Sequence, residues 1–144
     1  MICYLDHAAT SWPKPPEVAQ AMLAALSIAG SVGRGAHAGA SEAAQIPSRL
    51  RVLAAARFRA DSASHVVLTS GGTESLNLAF ASWLRSGDHV VTTAAEHNSV
   101  LRPLELRRRT GLGDVTIVPV DRTGTVDAAV MLAAIRPETR LVAM

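Results

Sequence analysis

Lysine is almost absent from this chain. Of fourteen basic residues only Lys14 is a lysine, and the other thirteen are arginines. A phosphate-binding loop of the GxxxxGK[ST] type is therefore excluded, because its lysine has no counterpart after any glycine-rich turn. Cysteine is equally scarce. A lone Cys3 excludes an intrachain disulfide and any cysteine-based zinc cluster, and its expected place is a small buried position beside Leu5. No apolar run approaches about 18 residues, so no segment reads as a membrane-spanning helix. The first residues lack a basic stretch followed by an apolar one, so no signal peptide is expected and the expected location is cytoplasmic. The net charge of +2 provides no general field for nucleic acid. HExxH, GxSxG and carboxylate clusters with metal spacing are all missing, and no metal site is expected.

What remains is a chain of 144 residues that is 49% hydrophobic, enough for one ordinary domain with a core. Its first part reads as a short apolar run at 2–5, a proline-rich segment, a helix over 17–29 ended by Gly30, and a glycine-dense loop. Ser41 is the expected cap of a second helix over 42–59, in which Pro47 predicts a kink or a late start. From residue 65 the pattern becomes strand, helix, strand. Strands are expected at 65–69, 89–93, 115–120 and 140–144, with helices at 73–85, 99–109 and 127–135. In the helix at 73–85, Leu76, Ala79, Phe80, Trp83 and Leu84 form the expected buried stripe. Alternation through short connections predicts an α/β fold with a mainly parallel sheet and helices on both faces. The organisation expected is an N-terminal segment, 1–40, followed by a partial α/β domain, 41–144. The chain stops inside an apolar strand, which reads as truncation of a larger domain with an unpaired edge and exposed apolar faces.

In open α/β sheets ligands bind at the carboxyl ends of the strands. Two segments fall there. Thr69-Ser70-Gly71-Gly72-Thr73-Glu74-Ser75 joins a strand to a helix. Its glycines allow close backbone approach, and the first-turn N–H groups and the Thr73 hydroxyl can converge on an anion. The segment reads either as a phosphate cup or as an ordinary glycine turn capped by threonine. Ala94-Ala95-Glu96-His97-Asn98-Ser99 follows the next strand and places the His97 imidazole at the rim beside that turn. His65 and His89 stand at strand starts, the opposite end, and His7 and His37 lie in N-terminal loops. Position therefore singles out His97. The run Arg107-Arg108-Arg109 reads as cations at a helix C-terminus.

Four motifs, in order, resemble one family. Tyr4-Leu5-Asp6-His7-Ala8-Ala9-Thr10-Ser11-Trp12-Pro13 looks like the opening motif of the class-V aminotransferase fold, within it the cysteine desulfurase and selenocysteine lyase group. Gly33-Arg34-Gly35-Ala36-His37 resembles the group's Arg-Gly-x-His loop. Thr69 to Ala79 is similar to its phosphate-loop motif, and Glu96-His97-Asn98-Ser99-Val100-Leu101-Arg102-Pro103-Leu104 to its Glu-His-x-Ser segment. The opening motif carries His7 where Asn is commoner, and the loop before Arg34 lacks the usual Asn-Pro.

The resemblance implies part of the large domain of a fold type I transferase that depends on pyridoxal 5′-phosphate (PLP). In such a domain the positions of Gly72 and Thr73 hold the cofactor phosphate. The histidine at His97 stacks on the pyridine ring and assists proton transfer, a role suited to a flat group that titrates near neutral pH. Ala8 and Thr10 line the substrate end, and Arg34 reaches toward the partner subunit's site in a homodimer. The implied reaction removes sulfur from L-cysteine, leaving alanine and a persulfide on a distant cysteine. The family's Schiff-base lysine, pyridine-nitrogen aspartate, sulfur-accepting cysteine and substrate-carboxylate arginine have no counterparts in these residues, so the chain alone is expected to be inactive. The alternatives are part of a class-V aminotransferase or selenocysteine lyase, or a non-catalytic anion-binding remnant.

Overall fold

The computed structural model describes residues 3–144, so Ile2 of the apolar run at 2–5 lies outside it, and residues 3–5 form no strand. The chain packs as two compact units, Met1–Leu68 and Thr69–Met144.

The first unit is helical. Helix α1, Pro16–Leu26, starts on a proline, whose fixed φ and missing N–H suit a first turn. It ends at Ser27, earlier than the expected Gly30, and buries none of its residues. Helix α2 spans Ala38–Phe58 and runs straight through the expected division at residue 40. Its cap is His37, whose ring nitrogen accepts the Ala40 N–H, and not Ser41. The late start at Pro47 does not occur, because the capped first turns form upstream of the proline. Gly30 and Gly39 sit back to back. A Cβ on Gly30 would collide with the Gly39 carbonyl group, and one on Gly39 with the Ala29 carbonyl oxygen, so this crossing needs glycine on both sides. Cys3 and Leu5 are exposed, which corrects the expected burial of the thiol.

A second correction concerns 65–69. A 3-10 turn, Ala63–His65, occupies its start, and Val66 is extended but pairs with no strand. The Val66 carbonyl instead accepts from Arg51 Nε of α2 at 3.3 Å. β-branched residues favour extended backbone, but a strand exists only where a ladder partner meets it.

The second unit is α/β. Its elements are helix α3 (Gly72–Trp83), strand β1 (His89–Thr93), helix α4 (Asn98–Arg109), strand β2 (Asp114–Val118), helix α5 (Ala128–Ala133) and strand β3 (Thr139–Ala143). The sheet has the order β2-β1-β3 and is parallel throughout. The expected parallel sheet is therefore present, with three strands instead of four. Every residue of the central strand β1 is buried, as a strand covered on both faces requires. Alternation does the sorting. Val90 joins Phe80 and Leu84 of the α3 segment and Val100 and Leu104 of α4. Val91 points the other way, to Val118 and Met131 of α5. Helices thus cover both faces. Trp83 departs from its expected stripe: it is exposed, with the Arg140 guanidinium 5.9 Å from its ring centre.

Candidate active site

The turn before α3 and the turn before α4 carry the candidate residues, both in the second unit. Gly71 caps α3 with no side-chain hydrogen bond. The first bond of the turn is from the Ser75 N–H to the Gly71 carbonyl at 3.1 Å, which leaves the N–H groups of Gly72, Thr73 and Glu74 without intrahelical acceptors. A Cβ built on Gly71 or Gly72 would meet nothing within 4 Å, so the backbone lies open to a ligand here. The Thr73 hydroxyl has no hydrogen-bond partner among the described residues, while its carbonyl accepts from Asn77 Nδ2 at 2.8 Å.

The loop is braced from inside. Glu74 Oε2 accepts from Ser70 N at 2.7 Å and Ser70 Oγ at 2.6 Å. The Ser70 hydroxyl and then its backbone N–H hold the Glu74 carboxyl below its ordinary range. Thr69 Oγ1 lies 2.6 Å from Ser75 Oγ and donates to the Gly71 carbonyl. These bonds fix the turn and leave the open N–H groups free.

His97 is the cap of α4. Its Nδ1 accepts from the Ser99 N–H at 3.1 Å and lies 2.8 Å from Ser99 Oγ. A nitrogen that accepts a backbone N–H carries no proton of its own, so in the neutral ring the proton resides on Nε2. Buried Ser99 thereby selects the tautomer. Nε2 has no partner among the described residues.

Thr73 and His97 line one cavity of about 420 Å³, together with Asn77, Asn98, Ser99 and Arg102. The geometry fits a phosphorylated aromatic ligand. It offers open N–H groups and a free hydroxyl for a phosphate, with a flat ring on the wall of the same cavity. Among the described residues no group of three His, Cys, Asp or Glu is placed to hold a metal ion.

The family model for aminotransferase class-V matches residues 3–144. The chain belongs to this family. Among its class-V relatives, a cysteine desulfurase IscS from Acinetobacter baumannii is 34% identical over 98% of this chain and 36% of its own length. A selenocysteine lyase from Bos taurus is also 34% identical, over 96% of this chain and 36% of its own. The chain thus spans a little over a third of the relatives it matches. Among solved structures, SspA in complex with cysteine superimposes with a TM-score of 0.79 at 30% identity, covering 96% of this chain and 40% of its own. A C-DES mutant with glycine covalently linked to its PLP cofactor superimposes at 0.70 and 26% identity, covering 89% and 34%. The structural relatives of this class-V chain thus include an enzyme carrying PLP and one holding an amino acid.

The remaining expected residues lie in the first unit. Ala8 and Thr10 sit in turns built on the Asp6 carbonyl, which accepts from Ala9 and Thr10 N–H. Tyr4 organises this segment, with its hydroxyl donating to the Thr10 carbonyl at 2.7 Å and its ring against His7 and Trp12. Arg34 follows Gly33, whose φ is +78°, in an exposed turn. The cavity brings Thr73 and His97 together, while Gly72 precedes Thr73 without lining its wall, and the same cavity adds Asn77, Ser99 and Arg102, to which the motifs assign no separate role. The i, i+4 spacings Thr73/Asn77 and Asn98/Arg102 hold the signal that could have found Asn77 and Arg102.

Proposed function

We propose that this chain forms the PLP-phosphate cup and ring-stacking wall of a cysteine desulfurase-like enzyme. The single observation that carries this reading is the shared cavity of Thr73 and His97, with its open helix N-terminus. When bound, PLP supplies an electron sink that weakens the bonds around the α-carbon of an amino acid.

The rest falls to the residues of the chain. The N–H groups of Gly72 and Thr73 and the Thr73 hydroxyl hold the phosphate. Glu74 and Ser70 keep the turn in shape around it. The His97 ring orients the cofactor plane, and its Nε2 is the nitrogen free to hold or move a proton while Nδ1 stays bound to Ser99. Ala8 and Thr10 line the substrate end, and Arg34 serves the partner's site in a homodimer. The only lysine, Lys14, lies in the first unit and donates to Thr10 Oγ1 at 3.0 Å and the Ser11 carbonyl at 2.9 Å. The unit that carries the cup has no ε-amino group, so on this reading the chain alone binds PLP without a covalent bond and does not turn over substrate. The substrate proposed is L-cysteine. Selenocysteine is the second reading, favoured by the equal identity to the bovine lyase.

Spectroscopic titration of the chain with PLP tests the assignment. Thr73→Ala should weaken binding by about 1–3 kcal/mol, the worth of a hydrogen bond to a charged group. An unchanged affinity would remove the phosphate cup from the reading.

A further inference from the structure

We propose that Arg102 is a second anion-holding residue of the Thr73–His97 cavity, one that the four motifs do not assign. The inference rests on the reading of that cavity as the ligand site.

Arg102 is the only formally charged side chain on the cavity wall. It stands four residues after Asn98 on α4, so both share the face that borders the cavity. Opposite, α3 presents Thr73 and Asn77 at the same spacing, and α3 packs against α4. Thr73 and Asn98, in the first turns of α3 and α4, line this cavity, where the positive ends of the two helix dipoles favour an anion, and the exposed Arg102 lines it one turn further along α4. No carboxylate lines the wall.

The guanidinium is also unspent. Among the described residues Arg102 makes no ion pair and no side-chain hydrogen bond. Its natural partner on the same helix, Glu105 at i+3, is taken by Arg108, which binds both carboxylate oxygens at 2.8 Å. An arginine with its fork free, beside two helix N-termini and a free hydroxyl, is suited to bind a planar or tetrahedral oxyanion through two donors. The cavity volume leaves room for that oxyanion on a ligand larger than a free ion.

Two oxyanions are available in a PLP–amino acid pair: the cofactor phosphate and the substrate carboxylate. The experiment separates them. The wild-type chain, Arg102→Gln and Arg102→Lys are titrated with PLP and with pyridoxal, which lacks the phosphate. The PLP-saturated chains are then titrated with L-alanine, followed by NMR. A loss of about tenfold or more in PLP affinity for Arg102→Gln, with pyridoxal unmoved, assigns Arg102 to the phosphate. A similar loss confined to L-alanine assigns it to the carboxylate. In either case Arg102→Lys should recover part of the loss, because it keeps the charge without the fork. If Arg102→Gln leaves all three affinities unchanged while Thr73→Ala weakens PLP, the Arg102 proposal is overturned and the cup stands. If the wild-type chain binds no PLP, both readings fall together.

Discussion

His89 holds the three strands together through its ring. Its Nδ1 lies 2.7 Å from Thr139 Oγ1 on β3, and its Nε2 2.9 Å from Thr116 Oγ1 on β2. Burial, and then the Arg136 guanidinium, push its pKa below the ordinary 6.5, against the opposing pull of Asp114 and Glu138. A histidine that stays neutral when folded but protonates when unfolded costs stability as pH falls. The loss begins as pH drops through about 6.5 and runs down to the folded pKa. Glu74, Asp114 and Asp121, all held under their ordinary values by hydrogen bonds, lose their contributions as pH falls through the ordinary carboxyl range, about 4, toward their folded pKa values. The melting temperature should therefore fall on acidification from about pH 6.5, and His89→Gln should lessen the part of the fall that precedes the carboxyl range. A melting temperature flat between about pH 7 and about pH 5 would contradict this account. At this scale the sequence was legible where chemistry depends on local position. His97 follows the end of β1 and is picked out by that position, whereas Thr73 is picked out by the glycine turn before it, since the run ahead of that turn pairs with no strand. The role of His89 was not legible, because its partners lie 27 and 50 residues away.

Helix α4 shows how an element divides its residues between core and surface. Leu104 is buried against Val90 and Phe80, whereas Leu106 is 64% exposed. Truncating a fully buried leucine removes its transfer energy and leaves a cavity, so Leu104→Ala should destabilise the chain by about 2–5 kcal/mol. Leu106→Ala, on the other face, should cost less than about 1 kcal/mol. Chemical denaturation of the two variants checks the contrast, and equal losses would mean that the core is not where the structure places it. Periodicity made α3, α4 and β1 readable, because each repeats its apolar face on the period of its own backbone. Pairing and capping were less readable. The Val66-Val67-Leu68 run has the composition of a strand but no ladder, and α2 takes its cap from His37 instead of the better-ranked Ser41.

The molecule as a whole leaves large apolar side chains uncovered. On α2, Ile46, Leu50 and Leu53 follow helical spacing and are 49%, 51% and 68% exposed, and Phe58 at its end is 82% exposed. A contiguous apolar stripe in water favours association. At micromolar concentrations, light scattering should give a mass above the 15.1 kDa of one chain. Leu50→Glu combined with Leu53→Glu should lower it, and a strictly monomeric wild type would overturn the expectation. No helix among the described residues is long and apolar enough to cross a membrane. Most of the alternation of strands and helices, the family, and the two turns that border the cavity were readable from the chain alone, because each depends on residues close together in it. Which strands pair, that Thr73 and His97 share a cavity with Arg102, and that Ser99 sets the histidine tautomer emerge from the folded chain. Those facts depend on backbone hydrogen bonds and side-chain distances between separate segments, which local propensity does not encode.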